Sequence, residues 1–163
     1  ESELDIQIPD YTEYHIHSMG RTADDPVLRY TESFELSAWI KKAGPNWIIE
    51  AGKFIGGQVA LESDEMSRRY DIHMPHARSY HDEIIIRITE GYNVSGLDKF
   101  EKNLENESGG FISSAQLEDG LVRIKTHKFY KTNYEPAANW PNLVSFLELA
   151  YDFSQEKLLV KKK

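Results

Sequence analysis

Apolar side chains recur at every second position from Glu83 to Thr89, and this period limits the fold more than any other feature. Ile84, Ile86 and Ile88 share one face. The opposite face takes Glu83, Ile85, Arg87 and Thr89. A period of two is that of a half-buried β-strand, because successive side chains of a strand point to opposite sides of the sheet. Glu90-Gly91 predicts the end of this strand.

The same period predicts strands elsewhere in the chain. Further strands are expected in residues 14–18, 33–40, 47–50, 70–74, 111–117 and 121–125. In 33–40, we expect Phe34, Leu36, Ala38 and Ile40 on one face and Trp39 on the other. In 70–74, we expect Tyr70, Ile72 and Met74 to face the core. Pro75 ends that run, because proline has no N–H for the sheet ladder.

Two turns join predicted strands into hairpins. Gly44-Pro45 lies between the segments 33–40 and 47–50, where the backbone must reverse. Asp119-Gly120 lies between 111–117 and 121–125 and is a strong hairpin signal. Both turns therefore predict antiparallel pairing of neighbouring strands.

One helix is predicted over residues 140–153. Asn139 or Trp140 would cap it, and Pro141 fits the first turn, where its missing N–H is no loss. Apolar residues recur at spacings of three and four: Trp140, Leu143, Val144, Leu147, Ala150 and Tyr151. This stripe is expected to pack on the sheets. Residues 97–106 keep poor helical register and are interpreted as a loop or an irregular strand.

These elements predict a mainly β fold, an antiparallel β-sandwich, with a jelly-roll arrangement among the options, carrying one C-terminal α-helix. About seven or eight strands are joined by short turns, with no helices between them, which is typical of antiparallel sheets. We expect residues 1–163 to form one such domain. Glu1-Ser2-Glu3-Leu4 resembles neither an initiating methionine nor a signal peptide, so we expect a fragment of a longer polypeptide.

Composition excludes several classes of function. The sequence has no cysteine, which rules out disulfides, thiolate zinc sites and a cysteine nucleophile within this chain. The formal charge of −8 argues against a nucleic-acid partner, whose phosphates would require clustered Lys and Arg. No apolar run approaches the roughly 20 residues of a membrane span. We therefore expect no nucleic-acid partner and no membrane span.

Three histidines, His73, His76 and His81, lie within nine positions. His73 is out of phase with the predicted core face of its strand, His76 follows Pro75, and His81 precedes Ile84 by three positions. All three are thus expected on one exterior surface, the minimum condition for a zinc site. His15 and His17, two apart on one strand, meet the same condition. No HExxH helix is present, and we interpret these residues as solvated or hydrogen-bonded imidazoles.

Other catalytic patterns are incomplete. Ser108, Ser113 and Ser114 lack a G-x-S-x-G elbow, and Asp24-Asp25 has no partnered carboxylate. Gly56-Gly57 and Gly109-Gly110 lack the lysine and the strand-to-helix context of a phosphate-binding loop. We therefore assign no catalytic residue, no cofactor and no metal ligand.

Four segments carry a family resemblance. They are "WIIEAGKFIGGQ" (47–58), "RRYDIHMPHARSYHDEIIIRITEGYNVSGL" (68–97), "NLENESGGFISSA" (103–115) and "KTNYEPAANWPNLVSFLELAYDFSQEKLLVKK" (131–162). Together they resemble the C-terminal β-sandwich domain of unknown function found in bacterial transglutaminase-like proteins, a group of envelope proteins described as cysteine proteases. In that family the Cys-His-Asp triad belongs to a core that precedes this domain.

The resemblance implies an accessory, noncatalytic structural or interaction domain. Its expected partner is the transglutaminase-like core of the same polypeptide, and its expected location is periplasmic or extracellular. Two alternatives stay open: a carbohydrate- or peptide-binding module using exposed rings around Trp39 or Tyr80, and a metal-dependent enzyme using His73, His76 and His81. The sequence indicates no oligomeric state.

Overall fold

The computed structural model describes residues 11–35 and 37–163. Their strands are β1 (Tyr11–Met19), β2 (Leu28–Phe34), β3 (Ile40–Ala43), β4 (Asn46–Ile49), β5 (Ile72–His73), β6 (Ser79–Arg87), β7 (Tyr92–Ser95), β8 (Lys102–Glu105), β9 (Gly109–Glu118), β10 (Leu121–Tyr130), β11 (Tyr134–Glu135) and β12 (Leu158–Lys162). Helix α1 spans Trp140–Ser154. Short 3-10 turns lie at Ala51–Ile55, Leu97–Phe100 and Ala137–Asn139.

Eight of the strands form two four-stranded sheets. Sheet I has the order β6-β10-β9-β8, and sheet II has the order β3-β4-β12-β7. Strands β1 and β2 form a separate hairpin, and β5 pairs with β11. The pairing is antiparallel in all four sheets. The predicted mainly β, sandwich-type fold with one C-terminal helix is confirmed. The described residues contain more strands than the seven or eight expected, because short strands such as β7, β8 and β11 show too little alternation to be predicted.

Both large sheets and the helix contribute to one hydrophobic core. Its members include Ile84, Val122 and Ile124 from sheet I, Ile49 and Val160 from sheet II, and Phe146 and Phe153 from α1. The ring of Phe153 meets those of Phe100 and Phe111 edge to face, at centroid distances of 5.3 and 5.2 Å. Such edge-to-face pairs add to the stabilisation from burial alone.

The alternation from residue 83 to 89 is confirmed. Ile84 is buried and Ile86 and Ile88 are half-buried against the core, whereas Ile85 on the outer face is 52% exposed. The β9–β10 hairpin is also confirmed. Its turn residues Asp119 and Gly120 have φ values of 50° and 74°, which match the positive φ angles that a two-residue hairpin turn requires.

The predicted strand over residues 33–40 is wrong. Strand β2 ends at Phe34 and β3 begins only at Ile40. Trp39 is buried with 4% exposure while Ile40 is 42% exposed, the reverse of the predicted faces. The Trp39 ring packs edge to face on Phe54 at 5.0 Å, so a bend that buries this ring replaces the regular alternation. Leu36 lies outside the described residues.

The predicted core face of residues 70–74 is wrong at Tyr70, which is 73% exposed. Only Ile72 and His73 are paired as a strand, opposite Glu135 and Tyr134 of β11. Ile72 and Met74 are half-buried. Tyr70 precedes the paired residues. Alternation does not determine which side of the chain faces the core where no partner strand holds the chain in a pleated sheet.

The predicted helix is confirmed, with one further residue at its C-terminal end. Asn139 holds the cap position, but its side-chain amide donates to Glu135 Oε2 at 2.9 Å instead of capping α1. Tyr151 is 36% exposed and does not belong to the buried stripe. Phe146 and Phe153 are fully buried instead, because α1 contacts the core over an arc wider than one stripe. Among the described residues, no helix is both long enough and apolar enough to cross a bilayer.

Candidate functional site

The inner face of sheet I changes from apolar to polar along β6 and β10. Three cross-strand pairs mark this change: Ile124 with Ile84, Thr126 with Asp82, and Lys128 with Tyr80. Because alternate residues of a strand share a face, the two polar pairs lie on the same side of the sheet as the core isoleucines. Polar side chains are therefore brought to the core-facing side of a sheet at one end only.

A cleft of about 470 Å³ opens at this polar end, and we call it the Lys128 cleft. Its lining residues are Phe54, Ile55, Gly56, Gly57, Gln58, Val59, Arg78, Tyr80, Asp82, Phe111, Lys128 and Tyr130. One wall is the inner face of sheet I and the other is the chain from Phe54 to Val59. Gly56 has φ 75°, a left-handed value that favours glycine and lets this chain turn over the cleft. The volume lies in the range of small-molecule sites.

Lys128 is half-buried within the cleft. Its ammonium donates to Gln58 Oε1 at 2.5 Å and lies 5.2 Å from the centroid of the Tyr80 ring. The amide nitrogen of Gln58 donates to the carbonyls of Ile55 and Gly56, which fixes this side chain against its own loop. Burial lowers the pKa of Lys128, and the charge of Asp82 opposes that shift.

The other polar groups of the cleft are held by the sheet and the helix. Thr126 Oγ1 donates to Asp82 Oδ2 at 2.7 Å. The Tyr130 ring meets Phe146 of α1 edge to face at 5.3 Å, and burial raises the pKa of its phenol, which keeps the hydroxyl protonated. Within residues 11–35 and 37–163, neither Lys128 nor Arg78 forms a salt bridge with a carboxylate. The cleft therefore combines two cations with one hydrogen-bonded anion.

A second surface of interest is one side of hairpin β1–β2. We call it the hairpin face and define it by Tyr14, Ile16, Met19, Leu28 and Tyr30, which are 54%, 41%, 46%, 54% and 40% exposed. Ile16 pairs with Tyr30 across the hairpin and Met19 pairs with Leu28. The rings of Tyr14 and Tyr30 approach at 5.9 Å. A two-stranded hairpin is at best marginally stable in water by itself, so this apolar side is suited to contact another surface.

The candidate zinc histidines are dispersed by the fold. His73 belongs to β5, His76 lies exposed after it, and His81 belongs to β6 of sheet I. The ring of His81 stacks on that of His127 at 3.9 Å, and Ser79 Oγ lies 3.2 and 3.0 Å from their Nε2 atoms. Burial lowers the pKa of His127, and the neighbouring His81 adds to this shift.

The other histidine pair is engaged locally. The rings of His15 and His17 meet at 4.6 Å, and His17 Nε2 lies 2.7 Å from Thr31 Oγ1. No group of three or more His, Asp or Glu side chains that could hold a metal occurs in the described part of the chain.

Of the remaining sequence candidates, Ser113 and Asp25 hold parts of the fold together, and Gly56 and Gly57 line the cleft. Ser113 Oγ donates to the carbonyl of Phe100 at 2.7 Å, and Asp25 accepts hydrogen bonds from Ser18 and Arg29. Trp39 is buried and offers no exposed ring, whereas Tyr80 is 43% exposed and lines the Lys128 cleft. Of the two candidate stacking rings, only Tyr80 can reach a ligand.

Lys128 was missed by the sequence analysis. The alternation on β10 was followed only to Lys125, but Val122, Ile124 and Thr126 are all buried, and the next inward position is Lys128. A lysine at a core-facing position of a strand is unusual, because lysine is almost never fully buried without a partner. The inward-facing lysine could have been recognised from the sequence by extending the predicted strand beyond Lys125 to Lys128.

Comparison with known proteins places the chain in a family. Residues 55–160 match the family described as a domain of unknown function with a solved structure, DUF3858. No curated protein and no solved structure gives a significant match to the chain. The matched residues include Lys128 and most of its cleft, and leave hairpin β1–β2 outside. Since the match covers more than half of the chain, this protein belongs to the DUF3858 family of domains of unknown function.

Proposed function

We propose that this protein is a noncatalytic interaction domain that packs, through the hairpin face, against a transglutaminase-like core in the same polypeptide. The observation that carries the proposal is the exposure of five large apolar side chains on one side of a two-stranded hairpin. Burying such side chains against a partner removes apolar surface from water, at roughly 25 cal/mol per Å².

The position of the hairpin supports this choice of partner. Hairpin β1–β2 ends at Phe34, before the family-matched residues 55–160. The resemblance places the transglutaminase-like core on the N-terminal side of the domain. The hairpin is therefore the part of the described chain that lies nearest in sequence to the proposed partner.

The use of the chemistry-bearing side chains supports an accessory role. Ser113 is bonded to the backbone, Asp25 to Ser18 and Arg29, and His81 is stacked on His127. These contacts stabilise sheets and loops, and in this proposal catalysis belongs to the transglutaminase-like core. The resemblance also suggests that the domain works in the periplasm or outside the cell, which fractionation of cells that express the whole polypeptide would test.

Hydrogen exchange tests the docking proposal. The chain alone and the longer polypeptide that contains the core are compared, and amides of β1 and β2 are expected to exchange at least about tenfold more slowly in the longer polypeptide. Ile16→Glu in the longer polypeptide should remove this protection, because a carboxylate cannot be buried in an apolar interface without a partner. Ile85→Glu is the matched control: Ile85 is an exposed isoleucine on the outer face of sheet I and should leave the protection unchanged.

Three results would contradict the proposal. Equal exchange of the hairpin in both proteins would mean that it does not dock. An equal loss of protection in Ile85→Glu would mean that the effect is not specific to the hairpin face. Cleavage of peptide or isopeptide substrates by the purified chain would show that the domain is itself catalytic.

The alternative of a carbohydrate- or peptide-binding module is favoured by one observation, the exposed ring of Tyr80 in the Lys128 cleft. A glycan array and a peptide array test it, with Tyr80→Ala as the comparison. Binding that survives the loss of the ring would argue against this use of the cleft.

A further inference from the structure

The cations of the Lys128 cleft lack carboxylate partners in the described residues, and this is unusual for a lysine withdrawn from water. Gln58 Oε1 accepts one hydrogen of the ammonium. A lysine ammonium carries three donors, and the remaining ones have no described protein acceptor. Burying a charge is costly unless it is paired. The cleft therefore offers its remaining donors to an acceptor from outside the protein.

Two more donors face the same space. Arg78 lines the cleft and forms no salt bridge with a described carboxylate, while its carbonyl accepts the Tyr130 amide at 2.8 Å. Tyr130 also lines the cleft, and its phenol lies close enough to Arg78 and Tyr80 for both to influence its pKa. An ammonium, a guanidinium and a phenol that line one cleft together are suited to a carboxylate or phosphate, which accept strong charge-assisted hydrogen bonds.

The charge of the lining favours a single negative charge. Lys128 and Arg78 contribute two positive charges and Asp82 one negative charge, so the cleft carries a net charge of one positive unit within a chain of net charge −8. Asp82 is fixed on this wall by Thr126. A carboxylate balances this charge, whereas a phosphate dianion would exceed it and lie near the Asp82 carboxylate.

The cleft also has an apolar part, which includes a planar aromatic ring. Tyr80 presents a half-exposed ring on the sheet side, and Val59, which is 47% exposed, faces it from the loop side together with Phe54 and Ile55. Aromatic rings favour stacked or edge-to-face contacts with other flat groups. A ligand with a planar apolar body would use this surface.

We propose that the Lys128 cleft binds a small organic acid, with its carboxylate on Lys128, Arg78 and Tyr130 and its planar apolar body against Tyr80. The proposal goes beyond the interaction function above, and it concerns a surface that does not include the hairpin face. Either proposal can therefore fail without the other.

Benzoate is the probe, and benzamide and inorganic phosphate are its comparisons. In nitrogen-15 spectra of the whole chain, benzoate should shift the amide signals of Gly56, Gly57 and Lys128 saturably, and benzamide should not. Lys128→Met should weaken benzoate binding by at least about tenfold, or about 1.4 kcal/mol, because the charge-assisted hydrogen bond to the carboxylate is lost. Arg78→Gln, at an exposed position, should also weaken it and does not depend on repacking the cleft.

Lys125→Met is the matched control, because Lys125 belongs to the same strand and is exposed on the opposite face. It should leave the benzoate affinity within about twofold. The proposal is overturned if benzoate gives no saturable shifts, if benzamide binds as tightly, or if Lys128→Met and Arg78→Gln both bind as the unchanged protein does. Tighter binding of phosphate than of benzoate would overturn the assignment to a carboxylate.

Discussion

Two regions of this protein withdraw a charge from water, and they treat it in opposite ways. The side chain of Glu50 is 5% exposed and is surrounded by three lysines, with Nζ to carboxylate distances of 2.7 Å for Lys41, 2.6 Å for Lys53 and 3.5 Å for Lys157. Lys128, at the polar end of sheet I, forms no salt bridge with a described carboxylate and donates to the neutral amide of Gln58.

We interpret the charge of Glu50 as one that stabilises the fold, and the charge of Lys128 as one that serves the proposed binding site. Lys41 and Lys53 bond to Glu50 and hold its pKa at about 2, below the ordinary value of 4.5. The three lysines come from β3, the turn at residues 51–55 and the segment before β12, so one carboxylate ties three parts of the chain together. Burial lowers the pKa of Lys128 instead, which means that the folded protein disfavours its charge. A destabilised charge kept in a cleft is the pattern of a binding site.

The largest expected effect is the loss of stability in Gly52→Ala, near Glu50. Gly57→Ala, in the loop of the Lys128 cleft, is its comparison. A Cβ on Gly52 would lie 2.0 Å from the carbonyl oxygen of Phe153, whereas a Cβ on Gly57 would meet nothing within 4 Å. Gly52→Ala should cost about 3 kcal/mol, since backbone atoms at the end of α1 must shift, and Gly57→Ala should change stability by less than about 1 kcal/mol. Urea unfolding measures both. Equal losses would show that the Glu50 region is no more tightly built than the cleft loop.

The next effect is that of Glu50→Gln. A fall of the pKa from 4.5 to about 2 represents roughly 3 kcal/mol at 1.36 kcal/mol per unit. The lysines are 41–62% exposed, so water and salt screen them, and we expect a loss of about 2 kcal/mol at neutral pH.

The pH dependence of this difference has a defined sign. Because folding lowers the pKa of Glu50, its contribution is complete above pH 4.5 and disappears as the pH falls toward about 2. The difference in unfolding free energy between Glu50→Gln and the unchanged protein should shrink over that window. A difference that persists at pH 2 would mean that packing, and not charge, is responsible.

Lys128→Met should have the opposite sign. Removing a charge that the fold disfavours should leave the melting temperature at neutral pH equal or higher. The folded protein binds this proton less tightly than the unfolded chain, so stability should rise as the pH rises through the lowered pKa toward the ordinary 10.5, and Lys128→Met should lack this rise. Lys125→Met, on the solvent side of β10, is the control. A lower melting temperature in Lys128→Met alone would make Lys128 a structural residue.

The smallest effect is expected at His73, which lies in neither region. It is exposed on β5, and His73→Ala should change the unfolding free energy by less than about 0.5 kcal/mol. Thermal melts in the same buffer as the Glu50 variants measure it. A loss as large as that of Glu50→Gln would mean that His73 makes contacts that its exposure does not indicate.

The faces of strands and helices are predicted correctly from the sequence where a regular local pattern of apolar residues is long. Ile84, Ile86 and Ile88 were predicted on the correct face because β6 is long and paired along its length with β10. Helix α1 was predicted because Pro141 and the apolar spacing act locally. Tyr70 and Trp39 were placed wrongly, since the first has no partner strand and the second is buried by a contact with Phe54 from another turn.

The candidate site was predicted only in part. Tyr80 is a candidate stacking ring from the sequence, while Lys128 and Gln58 are not connected with it there. Gln58 lies 70 positions from Lys128, and no local period relates two residues at that distance. Residues 14–18 of β1 are predicted as an alternating strand, but neither the pairing of β1 with β2 nor the exposure of the hairpin is, because alternation states which side chains share a face and not what lies beside or over that face.

The amino-acid sequence by itself determined the antiparallel strands, the hairpin turn at Asp119-Gly120 and the C-terminal helix, because these depend on interactions between near neighbours. Tertiary structure alone decided that three lysines surround Glu50, that the loop at Gln58 closes over Lys128, and that the hairpin face stays exposed. Burial and charge pairing depend on which distant segments meet, and this is fixed only when the two sheets and the helix close around a common core.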